Sequence, residues 1–82
     1  MYYLGIDIGK NNHEAGFITD DGSHVGKSLR FSNSREGFEK LLLFMEQRLP
    51  DHEAFCIGME ATGHYWLALY SFLREKGFVL HV

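Results

Sequence analysis

The apolar residues of this chain change their spacing after Phe31, and that change limits the folds open to it. Up to Phe31, apolar and small or polar residues alternate in short runs, the period of strands. In "SNSREGFEKLLLFMEQRLP", Phe38, Leu41, Leu42, Met45 and Leu49 recur at i, i+3, i+4, i+7 and i+11, which is one face of a helix. Asn33 or Ser34 is the expected N-cap, and Pro50 stops the helix. Before it, residues 2–9 read as a buried strand, 13–19 as a second and 23–31 as a third. The third is more polar and interrupted by glycine, as edge strands are. "DDG" at residues 20–22 is a hairpin turn, with Gly22 free to take a positive φ. Beyond Pro50, residues 54–60 read as a fourth strand and "ATGHYWLALYSFLREKG" as a second helix. Its stripe is Tyr65, Trp66, Leu69, Phe72 and Leu73, and Gly77 fits its C-terminal cap. Residues 78–82 begin a fifth strand.

The order β-β-β-α-β-α-β, with hairpin links first and right-handed crossovers after, predicts a mixed five-stranded sheet in the order 3-2-1-4-5. Both crossovers step the same way, so both helices are expected on one face. This is the α/β, ribonuclease H-like architecture. Eighty-two residues make one small domain that buries only about 60 % of its unfolded surface. Yet 45 % of the residues are apolar and 15 % aromatic, which calls for a compact core or an open apolar face. The net charge of −3 excludes a basic nucleic-acid clamp by bulk charge, but not nucleic-acid contact carried by metal ions. One cysteine, Cys56, rules out an internal disulfide. Asp7 and Lys10 break the N-terminal apolar run, so no signal peptide is expected. No stretch reaches the ~18 apolar residues of a membrane span. A cytoplasmic, reducing environment follows from this reading.

Asp7 is the odd residue in its strand. An acid within a buried strand is costly unless something pairs with it, so it is either bonded to nearby backbone donors or kept to hold a cation. Alternation puts Leu4, Ile6 and Ile8 on one face and Gly5, Asp7 and Gly9 on the other. In the fourth strand Phe55, Ile57 and Met59 share a face, opposite Cys56, Gly58 and Glu60. The bulky sets belong under the helices, so Asp7 and Glu60 are expected side by side on the small-residue face. Two carboxylates so close repel unless a cation lies between them. Mg²⁺ (or Mn²⁺) suits oxygen ligands of this kind, and such ions clamp the oxygens of a phosphodiester displacement. Two acids are a sparse site, and the glycine-lined face looks unfinished. Residues 1–82 therefore read as the N-terminal portion of a single catalytic domain whose further acids come from elsewhere.

"GIDIGKNNHEAGFITDDG" followed by "GMEATGHYW" resembles the N-terminal half of the DEDD-type transposases of bacterial insertion sequences, the one-ten/eleven-eleven family related to Piv-like DNA invertases. The resemblance covers essentially all 82 residues, and the second motif is the more specific. It implies a RuvC-like catalytic domain that binds divalent metal through Asp, Glu, Asp and Asp. Asp7 matches the first acid and Glu60 the second. It also implies DNA as substrate, a C-terminal domain with a serine implicated in strand exchange, and a guide RNA partner in the full-length protein. The departure is one of length. The chain alone is expected to be inactive and to hold metal weakly or not at all.

Other residues have ordinary and functional readings side by side. Glu60 also suits the start of the second helix, and Thr62 suits that helix's N-cap. Gly63 fits a plain loop or a close approach by substrate. His64 fits an exposed first turn or a phosphate contact. Lys10 and Asn11 fit a solvated turn or a nucleic-acid backbone contact. His13 and Glu14 read as ordinary strand residues, Tyr65 and Trp66 as core, and Cys56 as a small buried filler. Two competing functions are an actin- or sugar-kinase-like ATP-binding domain, in which Glu60 is unnecessary, and a non-catalytic module that self-associates through its open face. A homo-oligomer fits either an incomplete domain or such a module.

Overall fold

The structure, a computed structural model, describes residues 2–48, 55–60 and 63–82. Its elements run β1 (Tyr2–Asp7), β2 (Asn12–Thr19), β3 (His24–Ser32), α1 (Arg35–Arg48), β4 (Phe55–Met59), α2 (Leu67–Glu75) and β5 (Leu80–His81). They form one five-stranded sheet in the order β3-β2-β1-β4-β5, the order expected from the chain. β1 is antiparallel to β2 and parallel to β4; β3 is an edge, as anticipated.

The β2–β3 hairpin closes as "DDG" predicts. Thr19 N–H donates to the Ser23 carbonyl (2.9 Å), Gly22 N–H donates to the Thr19 carbonyl (3.0 Å), and Gly22 sits at φ +86°. Such three-residue loops place their last residue in the left-handed region, where glycine is favoured. Beyond the hairpin the register slips between Ala15 and Phe17, and β3 takes up the slack with Gly26 at φ +71°. A bulge of this kind bends an edge strand and spoils it as a template for further pairing.

Ser34 caps α1: its Oγ accepts the Gly37 N–H at 3.3 Å, while its carbonyl accepts the Phe38 N–H at 2.9 Å. Phe38, Leu41 and Met45 are buried as their spacing predicts, Leu42 is half-buried, and Phe44 is buried as well. Leu49 and Pro50 lie outside the described residues. Gly37 abuts the backbone of Ser32, so that a Cβ there would collide with it.

The second helix begins later than its sequence pattern implies. Residues 63–66 form turns and α2 starts at Leu67, with Trp66 in the N-cap position and no side-chain cap. The other end matches expectation. Gly77, at φ +92°, donates to the Arg74 carbonyl (3.0 Å) and Phe78 N–H to the Leu73 carbonyl (3.1 Å), the paired bonds of a Schellman cap. β5 is two residues long and parallel to β4, shorter than the 78–82 read from sequence.

Both helices cover the same sheet face. Leu69, Phe72 and Leu73 of α2 join the buried residues of α1 and Leu4, Ile6, Ile57 and Met59 of the sheet in one cluster. Phe17 stacks on Phe44 and Phe38 tilts against Phe72, each pair with centroids 5.5 Å apart. The opposite face is a concave surface enclosing about 810 Å³, floored by glycines of β1, β2 and β4. Among the described residues no helix is long and apolar enough to cross a membrane.

Candidate metal-binding face

The site is set by the β1–β4 register. Parallel pairing aligns Leu4 with Ile57, Gly5 with Gly58 and Ile6 with Met59. One residue further along each chain come Asp7 and Glu60. Because side chains alternate, both acids fall on the face opposite the buried Ile6 and Met59. Asp7 and Glu60 indeed line the same concave surface, together with Gly5 and Gly58. Asp7 is exposed at the end of its strand, not buried within it. The desolvation cost that made it look anomalous therefore does not arise: the helices cover only the other face. Glu60 is exposed too. With α2 starting at Leu67 and carrying no acid in its first turn, Glu60 does not cap that helix.

Glu14, read from sequence as an ordinary strand residue, stands directly across from Asp7 in the β1–β2 ladder, and Arg30 stands across from Glu14. Glu60, just past the end of β4, Asp7 and Glu14 thus follow one another across three adjacent strands, with Arg30 on the fourth. Ser28 Oγ donates to Glu14 Oε2 at 3.1 Å, so Glu14 is already oriented toward the edge strand. Among the described residues no three histidine, cysteine or acidic side chains converge closely enough to hold an ion together. The donor chemistry of Asp7 and Glu60, hard carboxylate oxygens open to water, fits Mg²⁺ in kind and supplies a partial set in number.

The remaining candidates divide. Lys10 and Asn11 are exposed in the loop that follows Asp7. Their carbonyls are tied down by Asn33, whose side chain donates to Lys10 (3.3 Å) and whose N–H donates to Asn11 (2.8 Å). Gly63 and His64 are exposed in the turns ahead of α2, with Gly63 at φ +65°. Gly63 uses its carbonyl to accept the Trp66 Nε1–H at 3.1 Å, and the His64 ring lies 4.6 Å from that of Tyr65. Neither lines the concave surface. Thr62 lies outside the described residues. Trp66 is half-buried against the core, as read; Tyr65 is half-buried, and Cys56 is half-buried on the glycine-lined face.

A mixed 3-2-1-4-5 sheet with acids at the ends of its parallel central pair defines an α/β chain of the ribonuclease H-like class. A family model described as a transposase, the IS110-type DEDD transposase, matches residues 4–82, and the chain belongs to that family. It is similar to the pilin gene-inverting protein of Moraxella lacunata, at 36% identity over 64 residues, and to that of Moraxella bovis, at 34% over 64 residues. Each match takes in 78% of this chain and 19% of the relative, so the chain spans about a fifth of the length of the curated relatives it matches.

Proposed function

We propose that this chain contributes the first two carboxylates of a metal-dependent site for DNA cleavage and strand transfer, in a protein that moves or inverts DNA. The observation that carries the reading is the β1–β4 register, which sets Asp7 and Glu60 one step past a shared ladder on one open face. Membership of a transposase family and similarity to two pilin gene-inverting proteins support DNA as the substrate over the ATP-binding alternative. In this reading the domain is RuvC-like, and further acids from elsewhere in the protein complete the ligand set around Asp7 and Glu60.

Asp7 and Glu60 hold the ion, Mg²⁺ or Mn²⁺, through carboxylate oxygens. Bound there, the metal would polarise a phosphodiester and lower the pKa of a water nucleophile. Lys10, on the loop beside Asp7, offers a point charge to a backbone phosphate, and Asn11 adds an amide donor. Gly63 and His64, exposed on the segment after Glu60, and Thr62 within it, are secondary contacts to the nucleic acid. A guide RNA and self-association belong to the full-length protein in this scheme.

The test is a Mn²⁺ titration of the ¹⁵N-labelled chain. Paramagnetic broadening is expected to centre on Asp7 and Glu60 and to disappear in both Asp7→Asn and Glu60→Gln. Broadening that survives both substitutions, or that centres on another part of the sheet, overturns the assignment.

A further inference from the structure

His13 is the one buried polar or charged side chain among the described residues, at 2 % exposure. It shares the phase of Ala15 and Phe17 and so points under the helices, where its ring meets Phe31 edge-on at 5.4 Å. Its Nδ1 accepts the backbone N–H of Gly9 at 3.2 Å. An accepting Nδ1 in a neutral ring leaves the proton on Nε2, and Nε2 is buried with no partner among the described residues. An apolar side chain would fill this place without burying an unpaired nitrogen, and that penalty is a real one. The Gly9 bond is what a histidine supplies here and a leucine does not.

Gly9 lies two residues beyond Asp7, in the loop that carries Lys10 and Asn11. The chain doubles back tightly there: a Cβ on Gly9 would run into the Asn12 carbonyl. Asn33 holds the far side of the same loop through Lys10 and Asn11. His13, Asp7 and Gly9 also border one small polar cleft of about 190 Å³ at this end of the sheet. We infer that His13 is a positioning residue, which anchors the loop leaving β1 through the Gly9 N–H and so holds Asp7 and Lys10 ready for metal and phosphate. The inference rests on the reading of Asp7 as a metal ligand.

The experiment compares His13→Asn with His13→Leu in the 82-residue chain. The Oδ1 of asparagine falls near the place of Nδ1 and keeps an acceptor for Gly9; leucine fills the space without one. Two readouts are followed: hydrogen exchange of the Gly9 amide and Mn²⁺ broadening at Asp7. In His13→Leu, Gly9 exchange is expected to quicken by about tenfold or more and Mn²⁺ affinity to fall severalfold, while the Leu4 and Phe17 amides stay protected. His13→Asn is expected to restore both readouts. Unchanged Gly9 exchange in His13→Leu, or no rescue by asparagine, overturns the inference. If His13→Leu does not fold, His13→Gln, whose acceptor is displaced by one methylene, takes its place. If the wild-type chain gives no Mn²⁺ effect at Asp7, the two carboxylates alone do not hold the ion, and Gly9 exchange still decides whether His13 anchors the loop.

Discussion

At the tip of the β2–β3 hairpin, Asp21 Oδ1 accepts the Thr19 hydroxyl and the Ser23 N–H, the latter at 3.0 Å. These bonds, Thr19's foremost, favour the charged form and hold the Asp21 carboxyl below the usual carboxylate range. A carboxyl whose folded pKa is depressed lends stability above its unfolded pKa, and that contribution is lost as pH falls through the folded value. Urea midpoints measured between about pH 5 and 2 should therefore fall on acidification, and fall less in Asp21→Asn, which keeps an acceptor but cannot titrate. A slope unchanged by Asp21→Asn would assign the acid sensitivity to other carboxyls. At this scale alternation carries sidedness, and the like-handed crossovers carry cover. Asp7 and Glu60 fall on the small-residue face, which stays open because both helices pack on the other; what the apolar run around Asp7 does not carry is that this acid ends its strand exposed and not buried within it. Glu14 reads as an ordinary strand residue in the sequence because its place opposite Asp7 comes from an antiparallel register that no local pattern encodes. His13 carried a usable signal, since its parity with Ala15 and Phe17 puts it on the core side of β2.

Among the elements, α1 was legible nearly to the residue because its start has a chemical cause. Ser34 accepts the Gly37 N–H, and Gly37 needs to be small to lie against Ser32. Ser34→Ala should cost about 0.5–2 kcal/mol in equilibrium unfolding, the range for losing an N-cap side chain. Ser34→Asp should recover most of that loss, because aspartate caps as well and complements the helix dipole. Equal stability of wild type and Ser34→Ala would mean that the Oγ contact adds nothing. The sequence pattern starts α2 earlier than the structure does, for an equally specific reason. Tyr65 and Trp66 continue the spacing of Leu69, Phe72 and Leu73, and periodicity does not separate a helix from turns that lead into it. Gly63 at φ +65° and the Trp66 indole bonded to the Gly63 carbonyl keep residues 63–66 as turns. The consequence is local: Glu60 does not cap α2 and lines the open face together with Asp7. The edge strand shows the same limit. Its glycines marked it as irregular, but the register slip opposite Gly16 follows from how β3 pairs, which no local pattern encodes.

For the molecule as a whole, the strand order was recoverable because two rules sufficed: hairpins join neighbours, and parallel crossovers are right-handed. The resulting sheet separates two jobs. One face carries the core and both helices; the other presents a glycine floor with carboxylates along one end. That division bears on how such a chain meets DNA. It has eleven acidic residues against eight lysines and arginines, and Glu60, Asp7 and Glu14 all line the open face on which the proposed function places the phosphate. Without a cation, this face repels a nucleic-acid backbone. Counterion release from many lysines, the usual source of nonspecific affinity, is small for a chain with eight lysines and arginines against eleven acids. The expectation is that any binding of a short DNA to this chain, followed by fluorescence anisotropy, requires Mg²⁺ and is lost with a chelator. Asp7→Asn should remove the Mg²⁺-dependent part, although it makes the net charge less negative and would by bulk electrostatics raise affinity. The two effects have opposite signs, so the variant discriminates between them. Tighter binding by Asp7→Asn, or equal binding with and without Mg²⁺, would place the DNA away from the carboxylate row and remove the reason for treating this face as its docking surface.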